Sequence, residues 1–127
     1  MKKGVHTKGF TLIEVLVGLI ILAIGLLGIA GMQITSVKGN FFSNNLTQAS
    51  YVAQDRLEFL KNQDMTSSAL TAGGHDDGPM TIAGTAFNRS YQVTFEKPDE
   101  SFRKIAYTVR WFDGVNHNIT FTTSRAQ

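Results

Sequence analysis

Residues 10–34 read FTLIEVLVGLIILAIGLLGIAGMQI, and this stretch decides which folds are open to the chain. Its only ionisable side chain is that of Glu14. As a helix, these 25 residues would be about 37 Å long, enough to cross a hydrocarbon core of ~30 Å. A secretory signal peptide is a poorer match, because its apolar core is only about 7–15 residues long. The stretch therefore predicts a membrane-spanning helix.

Positive charge precedes the apolar stretch. Lys2, Lys3 and Lys8 lie among the first nine residues, which contain no acid. The positive-inside rule therefore places this end in the cytoplasm and the C-terminal domain across the membrane. Without these lysines the balance of 12 basic and 10 acidic residues becomes 9 and 10, so the formal net charge changes from +2 to −1. The basic balance of the whole chain is thus no indication of nucleic-acid binding.

Composition and motifs exclude several classes of function. The chain has no cysteine, so disulfides, thiolate catalysis and cysteine-based metal sites are excluded. It has no Walker A, G-x-S-x-G, H-E-x-x-H or dinucleotide-binding glycine motif, and we expect no enzyme and no cofactor. His75, Asp76 and Asp77 are adjacent candidate metal ligands, but a polar turn flanked by glycines explains them equally well, and we predict no metal site.

Glu14 calls for an explanation, because an unpaired carboxylate in a membrane helix costs about 2–3 kcal/mol. Either it reaches the membrane interface or another chain supplies a cation. Residues 8–15, KGFTLIEV, resemble the prepilin signature of type IV pilins and type II secretion pseudopilins. The resemblance implies cleavage between Gly9 and Phe10 by a prepilin peptidase and N-methylation of Phe10. It also implies pairing of Glu14 with the N-terminal amine of a neighbouring subunit.

The later part of the apolar stretch carries a second resemblance. Residues 20–33, IILAIGLLGIAGMQ, are similar to the pattern found in PilV-like minor pilins. Gly25, Gly28 and Gly31 each weaken a helix by up to ~1 kcal/mol relative to alanine. They are either ordinary membrane-helix glycines or sites of close packing and flexibility between subunits. Their three-residue spacing gives no single G-x-x-x-G face.

The remaining sequence predicts a helix followed by strands. Apolar residues recur at steps of three and four after the membrane stretch, at Leu46, Ala49, Ala53, Leu57 and Leu60. One helix over residues 10–62, with a weak point at residues 39–40, is therefore predicted. Arg56 on this helix is expected to be solvated, and residues 64–79 read as a loop.

Alternating apolar and polar residues indicate strands over residues 80–87, 89–97, 102–112 and 117–123, with turns at residues 98–100 and 113–116. The aromatic side chains at two-residue spacing, Trp111 among them, are predicted to be core, and His117 is predicted to face solvent. We predict an α+β fold in which a long N-terminal helix packs on a small antiparallel sheet of three or four strands, as in pilins. The pattern YTVRW at residues 107–111, followed by Asp113 and Gly114, also resembles PilV-like minor pilins.

Three segments follow from this interpretation. Residues 1–9 would be a basic leader cleaved after Gly9, residues 10–38 a transmembrane and assembly helix, and residues 39–127 a periplasmic or extracellular domain. The resemblance implies a minor type IV pilin that primes pilus assembly and enters the filament near its tip. Its implied partners are other minor pilins, the major pilin, the inner-membrane assembly platform and a tip adhesin. It would lie in the inner membrane and then in an extracellular pilus that serves adhesion or twitching motility.

Three alternatives stay open at this point. The chain could be a minor pseudopilin of a type II secretion system, a DNA-uptake pilin, or a membrane-anchored domain with no assembly role. A DNA-uptake pilin needs a basic stripe on the exposed domain. On a strand, however, Arg103 falls on the opposite face from Lys104 and Arg110, so nucleic acid is an unlikely partner.

Overall fold

The computed structural model describes residues 9–96 and 102–126. Residues 1–8 of the predicted leader and the predicted turn at residues 98–100 lie outside the described residues. The chain divides into two compact units, Met1–Asn40 and Phe41–Gln127. Its elements are α1 (Leu12–Lys61), a 3₁₀ turn (Ser68–Leu70), β1 (Gly73–Ile82), β2 (Thr85–Glu96), β3 (Phe102–Phe112) and β4 (Asn116–Ala126).

The predicted long helix is confirmed. α1 begins at Leu12 and ends at Lys61, within two residues of the predicted bounds. It continues through residues 39–40, where the sequence indicated a weak point. The first unit holds the apolar half of α1, and the second unit holds the remainder of α1 together with the sheet.

The four strands form one antiparallel sheet in the order β1-β2-β3-β4, so consecutive strands are neighbours throughout. The period-two alternation predicted for the last three strands is confirmed, because one row of side chains faces the helix and the other faces outward. The turn after Phe112 is also as predicted, since Phe112 pairs with Asn116 across it. The fold is therefore α+β, with a long helix packed on a small antiparallel sheet.

The core lies between the second half of α1 and the inner face of the sheet. Its helix residues are Ala49, Ala53, Leu57 and Leu60, and its strand residues are Phe87, Tyr91, Val93, Ile105, Tyr107, Val109 and Trp111. The small side chains of Ala49 and Ala53, both fully buried, leave room for the large aromatic rings of the strands. Trp111 is 3% exposed, which confirms the prediction that the aromatic stripe is core.

The predicted loop over residues 64–79 is wrong in its second half, because β1 begins at Gly73. Glycines and Pro79 read as turn signals, yet an edge strand tolerates them, since only one side of it forms ladder hydrogen bonds. A register shift between Asp76 and Gly78 accommodates the irregular sequence.

The predicted strand over residues 80–87 is also wrong, because a two-residue turn divides it. Ala83 and Gly84 have φ values of +49° and +84° and join Ile82 to Thr85. Positive φ at both central residues matches the twist of a hairpin, so this left-handed turn folds β1 back onto β2. Alanine is an uncommon residue for such a conformation, so the pair Ala83-Gly84 is not a typical hairpin turn sequence.

Candidate functional site: the N-terminal processing and anchor segment

Thr11 forms the start of α1. The Glu14 N–H donates to the Thr11 carbonyl oxygen at 3.0 Å and to Thr11 Oγ1 at 3.3 Å. Thr11 is therefore the N-cap, and its side chain satisfies one of the backbone donors that a helix start leaves unpaired. This cap was not predicted, although the spacing Thr11-x-x-Glu14 is that of a capping box.

Glu14 lies in the first turn of α1. The exposed N–H groups and aligned peptide dipoles of that turn favour a negative side chain. The same carboxylate is exposed, and within the described residues no ion pair involves it. Glu14 is thus placed to stabilise the start of α1, and its exposed carboxylate is also free to form the predicted charge pair with another subunit.

Gly9 and Phe10 precede the helix without regular structure. The Phe10 side chain is 83% exposed. A side chain built at Gly9 would meet nothing within 4 Å. Among the described residues, packing therefore gives no reason for glycine at this position, and its predicted role in cleavage stays a prediction.

The apolar half of α1 is long and apolar enough to cross a membrane. Its most apolar window has a mean hydropathy of 2.8, and none of that window is buried by the rest of the protein. Side chains such as Leu19, Ile24 and Leu27 are more than half exposed. So large an apolar surface must be covered by lipid or by other chains, because water would oppose its exposure.

Gly25, Gly28 and Gly31 lie within this apolar helix. A methyl group built on any of them would meet nothing within 4 Å, so none is needed for packing against the other described residues. The carbonyl oxygen of Gly31 accepts a hydrogen bond from Thr35 Oγ1 at 3.2 Å. Their predicted role in packing between subunits stays a prediction.

Residues 6–30 match the family described as the prokaryotic N-terminal methylation motif. The match covers the Gly9–Phe10 bond, Glu14 and much of the apolar helix, but it leaves the second unit unmatched. No curated protein and no solved structure matches the chain.

These findings define a class of protein. The motif supports a type IV pilin-like or pseudopilin protein, and the fold agrees with that class. The motif implies processing by a prepilin peptidase and assembly from the membrane, and the apolar helix indicates an anchor in the inner membrane.

A second polar site lies in the globular unit, at the register shift of β1. Arg56 Nε and an Arg56 Nη atom donate to the two carboxylate oxygens of Asp77 at 2.7 and 2.9 Å. Tyr107 Oη donates to the same carboxylate at 2.8 Å. The expectation that Arg56 is solvated is therefore wrong, because a helix residue can reach the inward-turned Asp77 at the bulge.

Burial and the hydrogen-bonding partners of Asp77 shift the pKa of its carboxyl in opposite directions. Desolvation tends to raise the pKa of its carboxyl, but the hydrogen bonds from Arg56 and Tyr107 and the charges of Arg56 and Arg89 outweigh it, so the pKa is lowered. Burial, together with the hydrogen bond to Asp77, raises the pKa of the Tyr107 hydroxyl. Asp77 is thus a carboxylate that the fold holds ionised.

His75, Asp76 and Asp77 do not converge. The His75 ring stacks on Tyr91 with 4.7 Å between centroids, and Asp76 Oδ1 accepts from the Gly78 N–H at 2.9 Å. Only Asp77 turns toward the helix. Within the described residues, no group of three or more histidine and acidic side chains is placed to hold a metal ion.

The basic residues of the sheet are divided between its two faces, as predicted. Arg103 points inward and donates to the carbonyl oxygens of Met65 and Leu70. Lys104 lies on the outer row, 3.2 Å from Glu96, and Arg110 on the same row is exposed. No basic stripe is formed by these three residues.

His117 differs from its prediction. Its ring packs against both Phe42 and Trp111, with centroid distances of 4.8 and 5.3 Å, and Nε2 is 2.8 Å from Asp113 Oδ1. It is half-buried rather than solvent-facing, because the hairpin turn places Asp113 beside it and the inner row of β4 faces the helix.

Proposed function

We propose that this chain is a minor type IV pilin of the PilV-like kind, which primes pilus assembly and enters the filament near its tip. The proposal depends above all on the N-terminal methylation motif in residues 6–30, which places Glu14 four residues after Phe10. The role is structural, and no catalysis is proposed. The chain has no cysteine, whereas many major pilins have a C-terminal cysteine pair, and this difference favours a minor over a major subunit.

The proposed sequence of events starts in the inner membrane. Cleavage between Gly9 and Phe10 removes three lysines and creates a new amine on Phe10, which is then methylated. Extraction from lipid exposes the apolar half of α1 unless neighbouring helices cover it. Pairing of the Phe10 amine of one subunit with Glu14 of the next sets the axial register, since a desolvated charge pair is strongly distance-dependent.

The proposed partners are other minor pilins, the major pilin, the assembly platform and a tip adhesin, and the proposed activities are adhesion and twitching motility. A DNA-uptake role receives less support. Arg56, Arg89 and Arg103 donate to acceptors within the chain, so they are not free to contact phosphates. A pseudopilin would carry the same motif. The location of the processed chain, in surface filaments or in the envelope, distinguishes a pilin from a pseudopilin.

Mass spectrometry of the N-terminal peptide in sheared surface filaments from the native host tests the proposal. We expect a methylated peptide that begins at Phe10. The same processed peptide confined to the envelope would favour a pseudopilin. An intact leader in every fraction would contradict processing and leave only an anchored domain.

A further inference from the structure

The hairpin between β3 and β4 carries apolar side chains that the other described residues leave uncovered. We call residues 112–116 the hairpin tip. Phe112, the last residue of β3, is 64% exposed, and Val115 in the turn is 65% exposed. Neither is part of the core. Gly114, with a φ of +104°, reverses the chain between them without adding a side chain. The tip is therefore apolar although it faces outward.

The acid in the hairpin tip is turned away from solvent. The Asp113 side chain is only 8% exposed, because its Oδ1 lies 2.8 Å from His117 Nε2. The exposed charge nearest to the tip along the chain is the cation Arg110, on the same outer row as Phe112. No ion pair of Arg110 occurs within the described residues. Exposed apolar groups beside a cation suit a surface that offers hydrocarbon and phosphate together.

The hairpin tip lies at the end of the second unit where α1 enters it. The His117 ring contacts Phe42, near the start of that unit, with 4.8 Å between centroids. At the far end of β4, Arg125 donates to the carbonyl oxygen of Gln63, just after α1 ends. β4 therefore runs in the same direction as this part of α1, and the hairpin before β4 projects past Phe42. At about 3.3 Å per residue, the tip extends about 7 Å beyond the pair Trp111–His117.

The continuity of the chain holds this end of the unit close to the membrane. The uncharged run that follows Glu14 ends at Lys38. Phe41, the first residue of the second unit, comes three residues later in the unbroken helix, a rise of about 5 Å. The polar layer of a bilayer extends about 5–8 Å beyond each side of its hydrocarbon core. Phe41 is 48% exposed, so this end of the unit has an uncovered aromatic side chain at the depth of that layer.

We propose that the hairpin tip is a second membrane contact, in which Phe112 and Val115 enter the polar layer of the same bilayer that α1 crosses. The inference rests on the proposed function in one respect, since it supposes that the apolar half of α1 anchors the chain in a membrane before assembly. Phe112 and Val115 gain by leaving water, and Arg110 beside them meets lipid phosphate. Two contacts hold the second unit in one orientation on the membrane, which a single helix does not.

Site-specific fluorescence in the full chain tests this contact. The protein has no cysteine, so a single introduced cysteine carries the fluorophore. Val115→Cys reports on the tip, Thr122→Cys on the exposed outer row in the middle of β4, and Ile24→Cys on the apolar helix. Each variant is placed as a single copy in a nanodisc of phosphatidylethanolamine and phosphatidylglycerol. Quenching by a spin-labelled lipid is then compared with quenching by aqueous iodide.

The expected result is a difference between two exposed positions on one hairpin. We expect the spin-labelled lipid to quench position 115 at least about threefold more strongly than position 122, because an interfacial contact buries apolar side chains about 5–10 Å deep. Iodide should show the opposite order. Equal quenching of the two positions by either agent would overturn the proposal.

Two exposed aromatic residues supply matched variants. Phe112→Asp places a charge in the tip. Tyr51→Asp places the same charge on α1 at a side chain that is 72% exposed, about 15 Å along the helix from Phe41. With the fluorophore at position 115, we expect lipid quenching to fall about threefold or more in Phe112→Asp and to change by less than about a fifth in Tyr51→Asp. Equal losses would overturn the proposal. The comparison of positions 115 and 122 is made with Phe112 in place, so it does not depend on the stability of these variants.

The outcomes separate this inference from the proposed function. Iodide quenching at position 24 would contradict the membrane anchor, and the tip contact with it. Lipid quenching at position 24 together with iodide quenching at position 115 would contradict the tip contact alone. Protection of position 115 that appears only in nanodiscs holding two copies would mean that the tip contacts another subunit, and this result too would overturn the proposal.

Discussion

At the scale of single residues, Asp77 joins α1, β1 and β3 through Arg56 and Tyr107. Asp77→Asn removes the charge from a side chain that is 11% exposed and leaves Arg56 without its ion partner. We expect the free energy of unfolding to fall by about 1–3 kcal/mol, because the partners of a lost charged hydrogen bond stay partly buried. Urea unfolding of the full chain in detergent, followed through the fluorescence of Trp111, the only tryptophan, measures this change.

Asp76 provides the control for this experiment. It is the adjacent aspartate, it is exposed, and its carboxylate oxygen accepts only a local backbone hydrogen bond from Gly78 in the described structure. Asn can accept the same bond, so Asp76→Asn should change stability by less than about 0.5 kcal/mol. A loss as large as that of Asp77→Asn would show that the network with Arg56 is not the cause.

The lowered pKa of Asp77 also predicts a pH dependence. A carboxyl whose pKa is lower in the folded than in the unfolded chain adds stability above its unfolded pKa of about 3.9, and this contribution is lost as the pH falls through the folded pKa. Wild type should therefore lose more stability than Asp77→Asn between about pH 5 and pH 2. The pKa of Asp64 is lowered too, through Thr66, so the comparison with Asp77→Asn is what isolates Asp77. Parallel stability curves for the two proteins would contradict the prediction.

Glu14 has two candidate roles, which substitution can separate. Glu14→Gln keeps a side chain suited to the third helical position of a capping box but removes the charge. We expect its incorporation into sheared filaments to fall by about tenfold or more, since the loss of one member of a desolvated charge pair costs about 2–5 kcal/mol. Quantitative mass spectrometry of filament and envelope fractions measures incorporation.

Thr11→Ala is the matched variant for Glu14. It removes the Oγ1 acceptor of the cap, worth about 1 kcal/mol of helix stability, and keeps the carboxylate of Glu14. We expect incorporation to change by less than about threefold. If incorporation into filaments fell to the same extent in both variants, Glu14 would act through the helix start rather than through a neighbouring amine.

At the scale of elements, the turn between β1 and β2 contains one strained residue, Ala83, and a substitution there can relieve the strain. Ala83 has a φ of +49°, a left-handed conformation that costs an alanine about 1–2 kcal/mol. Asn adopts this conformation more readily, and Asn-Gly is a favoured pair for such turns. Ala83→Asn should therefore raise the free energy of unfolding by about 0.5–1 kcal/mol in the urea experiment.

Ala86 serves as the control for the turn. It lies three residues later on the exposed face of β2, outside the residues with positive φ. Ala86→Asn should leave stability unchanged or lower it slightly, because Asn is a poor strand former. Equal stabilisation by both substitutions would mean that the gain does not come from the turn.

The elements also show how far sequence patterns reach. α1, β3 and the final hairpin were predictable because each has a strong period: three to four residues for the helix and two for the strands. β1 was not, since its glycines and Pro79 are typical of a loop and its alternation is interrupted by the register shift between Asp76 and Gly78. The contact between Arg56 and Asp77 could not be predicted either, because the register shift that turns Asp77 inward exists only once β1 and β2 have paired.

At the scale of the whole molecule, the predicted cleavage after Gly9 would separate a basic leader from the part of the chain that would persist in an assembly. Cleavage there changes the formal net charge from +2 to −1, by removal of three of the 12 basic residues. Under the proposed function it would also create the Phe10 amine that pairs with Glu14 of a neighbouring subunit. Since a side chain at Gly9 would meet nothing within 4 Å, a substitution there should leave the fold intact.

Gly9→Val therefore tests processing apart from folding. We expect the unfolding curve of the variant to match wild type within about 0.5 kcal/mol, while the peptide beginning at Phe10 disappears and the chain stays in the envelope. Gly39→Ala is the control, because it too has open space around it and lies in the middle of α1, far from the bond. It should be processed normally and should stabilise the helix by up to about 1 kcal/mol. Normal cleavage of Gly9→Val would place the processing site elsewhere, and the pairing of Glu14 with a Phe10 amine would lose its chemical basis.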